Sequence, residues 1–319
     1  SDVEYLGAWT ASQFERFTGL LGKRRVSGHI RECHGDLHLG NVALIDETPV
    51  IFDAIEFNPG LRWIDTVNDT AFMSMDLQER GRSDLAYRFL DRYLQEAGDY
   101  EGLSLLRFYE VYRALVRAKI AAIRTTQADL TGPEREQVLS ELGGYVSFAR
   151  KLCTPMQGAV VITHGMSGSG KSHIARTLAD FLPALRLRSD VERKRMLGID
   201  AASDATGRDA YTRDVTVKTY ARLETLAHLV ASAGYIAVVD ATFLYQTQRE
   251  VFREMAGSIG VPFAIIDCDA PMGMLRERIV SRRGQVDNVS DADLAVLESQ
   301  RNSRQPLSGD ERRHASDRI

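Results

Sequence analysis

The sequence predicts an α/β protein in two parts: a mostly helical, kinase-like lobe, then a domain with a parallel sheet flanked by helices. Its 319 residues suffice for about two domains, each with its own core. In residues 1–153 the apolar residues recur mainly at helical spacing, whereas in 159–319 short β-branched runs alternate with helical stretches. Such alternation is typical of parallel βαβ units. The Thr-Pro-Met-Gln-Gly stretch at 154–158 is interpreted as the linker.

Composition excludes several classes of protein. Apolar residues make up 44% of the chain and charged residues 26%, as in soluble globular proteins and unlike disordered chains. No apolar run approaches the ~20 residues of a membrane helix, and no basic-then-apolar leader opens the sequence, so we expect a cytoplasmic protein without a membrane partner. The three widely spaced cysteines indicate reduced thiols. A net charge of −4 argues against a nucleic-acid partner.

The elements of the first half follow from periodicity and turn residues. Two short apolar runs at 42–45 and 49–52, separated by Asp-Glu-Thr, predict a hairpin. Helical spacing then predicts three helices, which cover 84–97, 103–124 and 134–152. Four basic residues of the second helix are interpreted as a solvated or dipole-complementing face: Arg113, Arg117, Lys119 and Arg124.

The second half alternates strands with helices. Four apolar runs predict strands over 159–164, 185–188, 235–240 and 263–268. The intervening and following stretches predict helices over 172–182, 208–233, 246–259 and 272–283. Gly234 ends the longest helix, and Pro271 occupies the start of the last one. The polar segment 308–319 is expected to fray, and the polar stretch 284–287 to be mobile.

A glycine-rich loop between the first strand and helix of the second half is the strongest functional signal. Residues 165–172, Gly-Met-Ser-Gly-Ser-Gly-Lys-Ser, match G-x-x-x-x-G-K-[ST]. Glycines let successive N–H groups turn toward a phosphate, and the helix N-terminus adds positive charge. We expect the loop to bind ATP, with Lys171 on the β/γ-phosphates and Ser172 on Mg²⁺; the alternative is a chance glycine-rich turn. The residues assigned to the nucleotide are Gly165, Ser167, Gly168, Ser169, Gly170, Lys171 and Ser172.

Just beyond the next predicted strand, Asp190 is followed three residues later by Arg193. With the loop, this D-x-x-R pattern resembles the small P-loop kinases of the gluconate kinase, zeta-toxin and polynucleotide-kinase type, over about 159–307. The resemblance implies that Asp190 approaches the acceptor hydroxyl and that Arg193 contacts substrate or phosphate. A carboxylate at the end of a parallel strand faces the crevice where ligands bind. The alternative is that Asp190 caps a helix starting at Val191.

Further residues match the same kinases. An apolar strand ends in Asp240, which the resemblance implies as the residue that steadies the Mg²⁺ shell; a structural strand-end Asp is the alternative. Arg278 and Arg282, four apart on one helical face, match the arginine-bearing lid that neutralises charge on the transferring group. A solvated basic helix is the other interpretation. The later segment with Gln300 and Arg301 also follows the pattern.

A second loop lies in the first half, at 34–41 with the sequence His-Gly-Asp-Leu-His-Leu-Gly-Asn. Asp36 and Asn41 are five apart, and Asp53 follows twelve residues later. This set resembles the catalytic loop of protein kinases in the variant found in aminoglycoside phosphotransferases. The resemblance implies Asp36 as the base on an acceptor hydroxyl and Asn41 and Asp53 on Mg²⁺. The string ending at Asp65 matches the helix that buttresses this loop in the family.

The first half departs from that family in two ways. Asp-Ala-Ile-Glu at 53–56 stands where the family has Asp-Phe-Gly or Asp-Trp-Glu. Only 33 residues precede His34, whereas the resemblance implies a whole N-terminal lobe with an ATP-pairing lysine, and Lys23 is too close to the loop to serve. We expect either a longer protein that supplies this lobe or a domain that has lost the reaction. The combination of both halves resembles a family of two-domain bacterial proteins.

The sequence thus predicts an ATP- and Mg²⁺-dependent phosphotransferase with a small-molecule hydroxyl as acceptor, and one ATP bound at Lys171. Two alternatives stay open, a nucleotide-dependent switch and a polynucleotide 5′-hydroxyl kinase. A switch needs the phosphate loop but no acceptor base such as Asp190. A polynucleotide kinase needs a basic, aromatic-lined groove, which no clustered stretch of the sequence indicates.

Overall fold

A computed structural model describes residues 1–199, 212–282 and 293–316 of the chain, without the side chain of Arg282. Two compact units are distinguished: unit 1 comprises Ser1–Leu90 and Glu101–Pro155, and unit 2 comprises Asp91–Tyr100 and Met156–Ile319. The predicted mobile stretch 284–287 and the start of the helix predicted over 208–233 lie outside the described residues. Within the described part, no helix has both the length and the apolar character needed to cross a bilayer.

Unit 1 is mostly helical, with two small antiparallel sheets. Its helices are α1 (Asp2–Val26), α2 (Pro59–Arg62), α3 (Thr66–Glu79), α5 (Leu103–Thr125), α6 (Gly132–Leu152) and the part of α4 (Ser83–Ala97) up to Leu90. Its strands are β1 (Ile30–Glu32), β2 (Val42–Ile45), β3 (Thr48–Ile51) and β4 (Trp63–Asp65). The predicted hairpin is β2–β3, with its second strand one residue earlier than expected, and β1 pairs with β4.

The core of unit 1 lies between α1, α3, α5 and α6 and is built around Phe72, Val111 and Tyr145. The interpretation of the α5 arginines as a solvated face is wrong for Arg113, which is 6% exposed. Its guanidinium donates to the Gly35 carbonyl at 2.9 Å and lies over the Phe72 ring. Lys119 and Arg124 of the same helix are exposed as expected.

Unit 2 contains a four-stranded parallel sheet flanked by helices, which confirms the predicted fold class. The strands are β5 (Ala159–His164), β6 (Ala184–Arg188), β7 (Ile236–Asp240) and β8 (Phe263–Asp267). The helices are α7 (Lys171–Phe181), α8 (Ser189–Met196), α9 (Arg213–Ser232), α10 (Gln246–Ser258), α11 (Met272–Arg282) and α12 (Leu294–Ser303). The strand order is β6-β7-β5-β8.

The sheet brings the carboxyl ends of its strands to one edge. Arg188 at the end of β6 is the register partner of Asp240 on β7, and His164 at the end of β5 is the partner of Asp267 on β8. Most apolar residues of the strands are buried and the others are partly buried, as in a sheet covered on both faces. Segments that leave this edge therefore carry the residues that can meet a ligand.

Residues 308–316 are packed, so the prediction that 308–319 frays is wrong for this stretch. The Glu311 carboxylate, 5% exposed, accepts from Arg249 Nε at 2.6 Å, and Arg249 is itself 1% exposed. The Ser316 N–H donates to the Ile265 carbonyl at 2.9 Å. The prediction failed because it took polar composition as a sign of solvation, whereas a buried ion pair also needs charged residues.

Candidate active site

The phosphate loop connects β5 to α7 and needs glycine at two points. Gly165 has φ +140°, and a Cβ there would lie 2.1 Å from the Cys268 carbonyl oxygen. Gly170, at φ +99°, is the N-cap of α7. Both conformations are open to glycine at little cost, so the chain turns sharply enough to aim the first N–H groups of α7 at an anion.

Lys171 lies over this loop. Its side chain is buried, and its ammonium donates to the Met166 carbonyl at 2.7 Å. The Ser169 hydroxyl is 3.5 Å from the same nitrogen. A buried ammonium held by neutral oxygens can exchange them for phosphate oxygens, which gain more from its charge.

The structure brings most of the predicted residues of unit 2 to one cleft. The predicted residues among its lining are Ser167, Gly168, Lys171, Ser172, Asp190, Arg193 and Asp240. Gly165, Ser169 and Gly170 belong to the loop but not to this lining. Arg278 is also absent from the lining, and its guanidinium donates to the Gly168 carbonyl at 3.1 Å. The side chain of Arg282 lies outside the described part.

Asp190 stands in the first turn of α8. That helix begins at Ser189 with Arg188 at its N-cap, so the alternative of Asp190 as the cap of a helix from Val191 is wrong. The Arg193 guanidinium donates to Asp190 Oδ1 at 2.8 Å, with the Asp190 side chain 23% exposed. This contact holds one carboxylate oxygen and leaves the group accessible from the cleft.

Asp240 ends β7 and is 6% exposed at the bottom of the cleft, where Ser172 also contributes to the lining. Carboxylate and hydroxyl oxygens are the ligands that Mg²⁺ accepts in proteins, so the two residues fit the predicted metal. Across the described residues, no three His, Cys, Asp or Glu side chains are grouped as metal ligands. A site with few protein ligands suits an ion that keeps waters and phosphate oxygens in its shell.

Gln300 of α12 is a site residue for which the sequence analysis predicted no specific role. Its Oε1 accepts from the Ser167 N–H at 2.8 Å, and its Nε2 donates to the Ser167 hydroxyl at 3.1 Å. The side chain thus fixes a residue of the phosphate loop from a helix 133 residues further along the chain. The only sequence feature that pointed to Gln300 was the similarity of its segment to the small P-loop kinases.

The cleft also contains polar residues that the sequence analysis did not identify. They are Thr216, Tyr220, Thr242, Tyr245 and Gln248. The Tyr220 hydroxyl accepts from the Phe243 N–H at 3.1 Å and lies 3.3 Å from the Thr242 hydroxyl. Such residues are scattered over α9, α10 and the loop after β7, so no local motif identifies them.

A buried pair underlies the phosphate loop. His164 Nδ1 and Asp267 Oδ1 are 2.7 Å apart at the ends of β5 and β8. Beside them, burial raises the pKa of the Cys268 thiol to about 11. The thiol therefore stays protonated near neutral pH and is not a nucleophile.

In unit 1, the loop at 34–41 brings Asp36 and Asn41 together. Asn41 Nδ2 donates to the Asp36 backbone carbonyl at 3.0 Å and to its Oδ2 at 3.2 Å. A hydrogen bond from His38 lowers the pKa of Asp36 despite the opposing effect of burial. Asp53, exposed and at φ +62°, lines the same cavity as Asp36, whereas Asn41 does not.

Carboxylates from α3 and its N-cap hold that loop. Asp69 accepts from the N–H groups of His34 and Gly35 at 3.0 and 2.9 Å. Asp65, the N-cap of α3, accepts from the Arg24 guanidinium at 2.7 and 2.9 Å, with both side chains buried. Asp69 of α3 therefore fixes the start of the loop. The string ending at Asp65, which was matched to the buttressing helix, instead forms β4, and α3 begins one residue later at Thr66.

Comparison with known proteins gives matches for both parts of the chain. A family model described as an AAA domain matches residues 160–307. An uncharacterised protein of Mycobacterium tuberculosis is 29% identical over 281 residues, which are 87% of this chain and 55% of that protein. A probable adenylyl-sulfate kinase of Aeropyrum pernix is 28% identical over 141 residues, which are 41% of this chain and 73% of that protein.

Among solved structures, a gluconokinase from Sinorhizobium meliloti aligns at 20% identity and a TM-score of 0.35, covering 51% of this chain and 82% of that one. The chain spans about half the length of the curated mycobacterial relatives it matches.

Proposed function

We propose that this chain, whose unit 2 is a P-loop kinase domain similar to adenylyl-sulfate kinase and gluconokinase, transfers the γ-phosphoryl group of ATP to a hydroxyl of a small molecule. The observation that carries the proposal is the cleft itself. A phosphate loop with its lysine and serine, a carboxylate for the metal side and a carboxylate for the acceptor side all line it. A protein that only bound nucleotide would need the first of these features alone.

ATP is assigned to the loop between β5 and α7. The first N–H groups of α7 would bind phosphate oxygens, and Lys171 would exchange the Met166 carbonyl for the β- and γ-phosphates. Ser172 and Asp240 would hold Mg²⁺, which supplies charge neutralisation to the triphosphate when bound. The Arg193 guanidinium, beside Asp190, adds positive charge between the two substrates.

The chemistry assigned to Asp190 is that of a general base. The acceptor oxygen attacks the γ-phosphorus while the bond from that phosphorus to the β,γ-bridging oxygen breaks. The proton of the hydroxyl passes to Asp190, and ADP leaves with the electron pair of the broken bond. Arg193 keeps the carboxylate in place for this proton transfer.

Arg278 and Arg282 are assigned to the triphosphate. Arg278 already contacts the Gly168 carbonyl, so its charge lies next to the loop that receives the triphosphate. We assign it the neutralisation of charge on the transferring group. Arg282 is proposed for the same role from its spacing alone.

For unit 1 we propose a kinase-like C-terminal lobe similar to that of aminoglycoside phosphotransferases. The contact of Asn41 with Asp36 and the position of Asp53 on the same cavity as Asp36 support this fold. We assign Asp36, Asn41 and Asp53 to a phosphotransfer site of that kind. We nevertheless propose that the chain binds its ATP in unit 2, at Lys171, and not in unit 1.

The test is a screen of small-molecule alcohols for ADP release by the purified chain with ATP and Mg²⁺. Adenylyl sulfate and gluconate belong in it, because similar proteins are named after them. At least one alcohol should raise ADP release well above the rate without acceptor, and Lys171→Ala should abolish the increase. ATP binding without any acceptor-dependent turnover would instead favour the nucleotide-dependent switch.

A further inference from the structure

Arg188 occupies the junction between the end of β6 and the start of α8. Its side chain is half-buried and lines the cleft together with Ser189 and Asp190. Within residues 1–199, 212–282 and 293–316, its guanidinium has neither a hydrogen-bond acceptor nor an ion-pair partner. The positive charge is thus directed at the cleft without an anion of the protein to balance it.

Most other arginines of unit 2 with a comparable or greater degree of burial are neutralised by carboxylates, and Arg278, which is also partly buried, donates to the Gly168 carbonyl. These pairs are Arg186–Asp91, Arg193–Asp190, Arg249–Glu311 and Arg304–Asp269. A partly desolvated guanidinium without such a partner loses hydration and gains no compensating charge. The natural compensation for Arg188 is an anionic group of a ligand.

The strand order decides which ligand brings that anion. The phosphate loop follows β5, and β7 lies between β5 and β6. With neighbouring strands ~4.8 Å apart, the ends of β6 and β5 are separated by roughly 10 Å. Arg188 and Asp190, by contrast, are two residues apart, so their Cα atoms are at most ~7 Å from each other. Arg188 therefore serves the part of the cleft where the acceptor hydroxyl meets Asp190.

Asp240 is a carboxylate that could compete for Arg188, because the two residues are register partners on neighbouring strands. Among the described contacts, no ion pair of 4 Å or less joins them. If Asp240 binds the metal, as proposed above, it does not neutralise Arg188.

We propose that Arg188 binds an anionic group of the acceptor, so that the acceptor is an alcohol with a carboxylate or phosphate a few bonds from the reacting hydroxyl. The planar guanidinium can donate two parallel hydrogen bonds to either group. Thr216, Tyr245 and Gln248 add neutral donors and acceptors for the rest of such a polar molecule. The inference rests on the proposed function, since it specifies the substrate of that same cleft.

The experiment divides the alcohol library by charge and includes matched pairs: D-gluconate with D-glucitol, and glycerol 3-phosphate with glycerol. ADP release should be stimulated by anionic alcohols and not by neutral ones. With the best acceptor, Arg188→Gln should raise the KM for that acceptor by roughly 10- to 100-fold, the value of one charged hydrogen-bond pair, with the KM for ATP unchanged. Arg188→Lys should recover part of the loss.

Arg176→Gln is the control, because it removes the same charge from an exposed position on α7 outside the cleft. Efficient use of a neutral alcohol would overturn the inference and leave the kinase assignment intact. An unchanged acceptor KM in Arg188→Gln, or an equal rise in the KM for ATP, would also overturn it. If no alcohol of either class stimulates ADP release, the proposed kinase function is rejected, and the inference about Arg188 is rejected with it. Melting temperatures equal to that of the wild type show that each variant is folded.

Discussion

Replacement of Asp190 by asparagine separates chemistry from binding in the cleft. Asparagine keeps the size of the side chain and an oxygen that can accept from Arg193, but it cannot take a proton. A positioned general base contributes roughly 10²- to 10⁴-fold to the rate, or about 3–5 kcal/mol of barrier. The ion pair that is lost joins buried Arg193 to partly accessible Asp190, but the amide oxygen keeps the hydrogen bond, so the cost in stability should be about 1 kcal/mol. The expected loss is therefore almost entirely in kcat.

The assay compares kcat and KM in ADP release, the affinity for ATP by calorimetry, and the melting temperature. Asp190→Asn should lose 10²- to 10⁴-fold in kcat while its ATP affinity and melting temperature stay close to those of the wild type. Asp214→Asn is the matched control, because it neutralises an exposed aspartate on α9 that pairs with Lys218. A parallel loss of ATP affinity, or a fall in melting temperature that explains the inactivity, would refute the role of a base.

Three further predictions concern the support of the site. Gln300→Ala removes both hydrogen bonds to Ser167 and should weaken ATP binding about 5-fold per bond, measured by calorimetry; equal affinity would show that the contact is incidental. Glu311→Ala leaves Arg249 buried and unpaired and should cost about 3–5 kcal/mol in urea unfolding of unit 2, whereas a loss below 1 kcal/mol would contradict it. Burial raises the pKa of Glu311, but hydrogen bonds from Arg249 and Ser308 outweigh this effect and lower the pKa overall. The stability that the ionised carboxylate adds is therefore present above pH ~4.5 and is lost as the pH falls further. Below pH ~4.5 the difference in unfolding free energy between wild type and Glu311→Gln should become smaller, measured by urea unfolding at several pH values.

Local patterns predicted much of the fold of unit 2. The strands β5, β7 and β8 and the helices α7 and α10 agree with the apolar runs and helical spacing to within a residue or two. The phosphate loop could be identified because its glycines, lysine and serine are contiguous. The periodicity of apolar residues indicates which face of a helix or strand is buried, and a contiguous motif indicates the backbone conformation of a loop. Both are properties of neighbouring residues in the sequence.

Contacts between distant polar residues could not be predicted in the same way. Arg24 and Asp65 are buried together in unit 1, and Arg249 and Glu311 are buried together in unit 2, yet each of these residues looks solvated in a single sequence. A single sequence does not show whether a charged residue is buried against a partner of opposite charge. The same reason hid the contact of Gln300 with the phosphate loop, and it explains why the C-terminal segment was expected to fray.

A calorimetric titration of the chain with a non-hydrolysable ATP analogue and Mg²⁺, performed on the wild type, Lys171→Ala and Asp36→Ala, tests most directly where ATP binds. We expect one binding site per chain, lost in Lys171→Ala and unchanged in Asp36→Ala, because the sequence contains the phosphate-loop pattern once, in unit 2. A full site in Lys171→Ala, or a site that disappears with Asp36→Ala, would contradict the claim that unit 2 is where ATP binds.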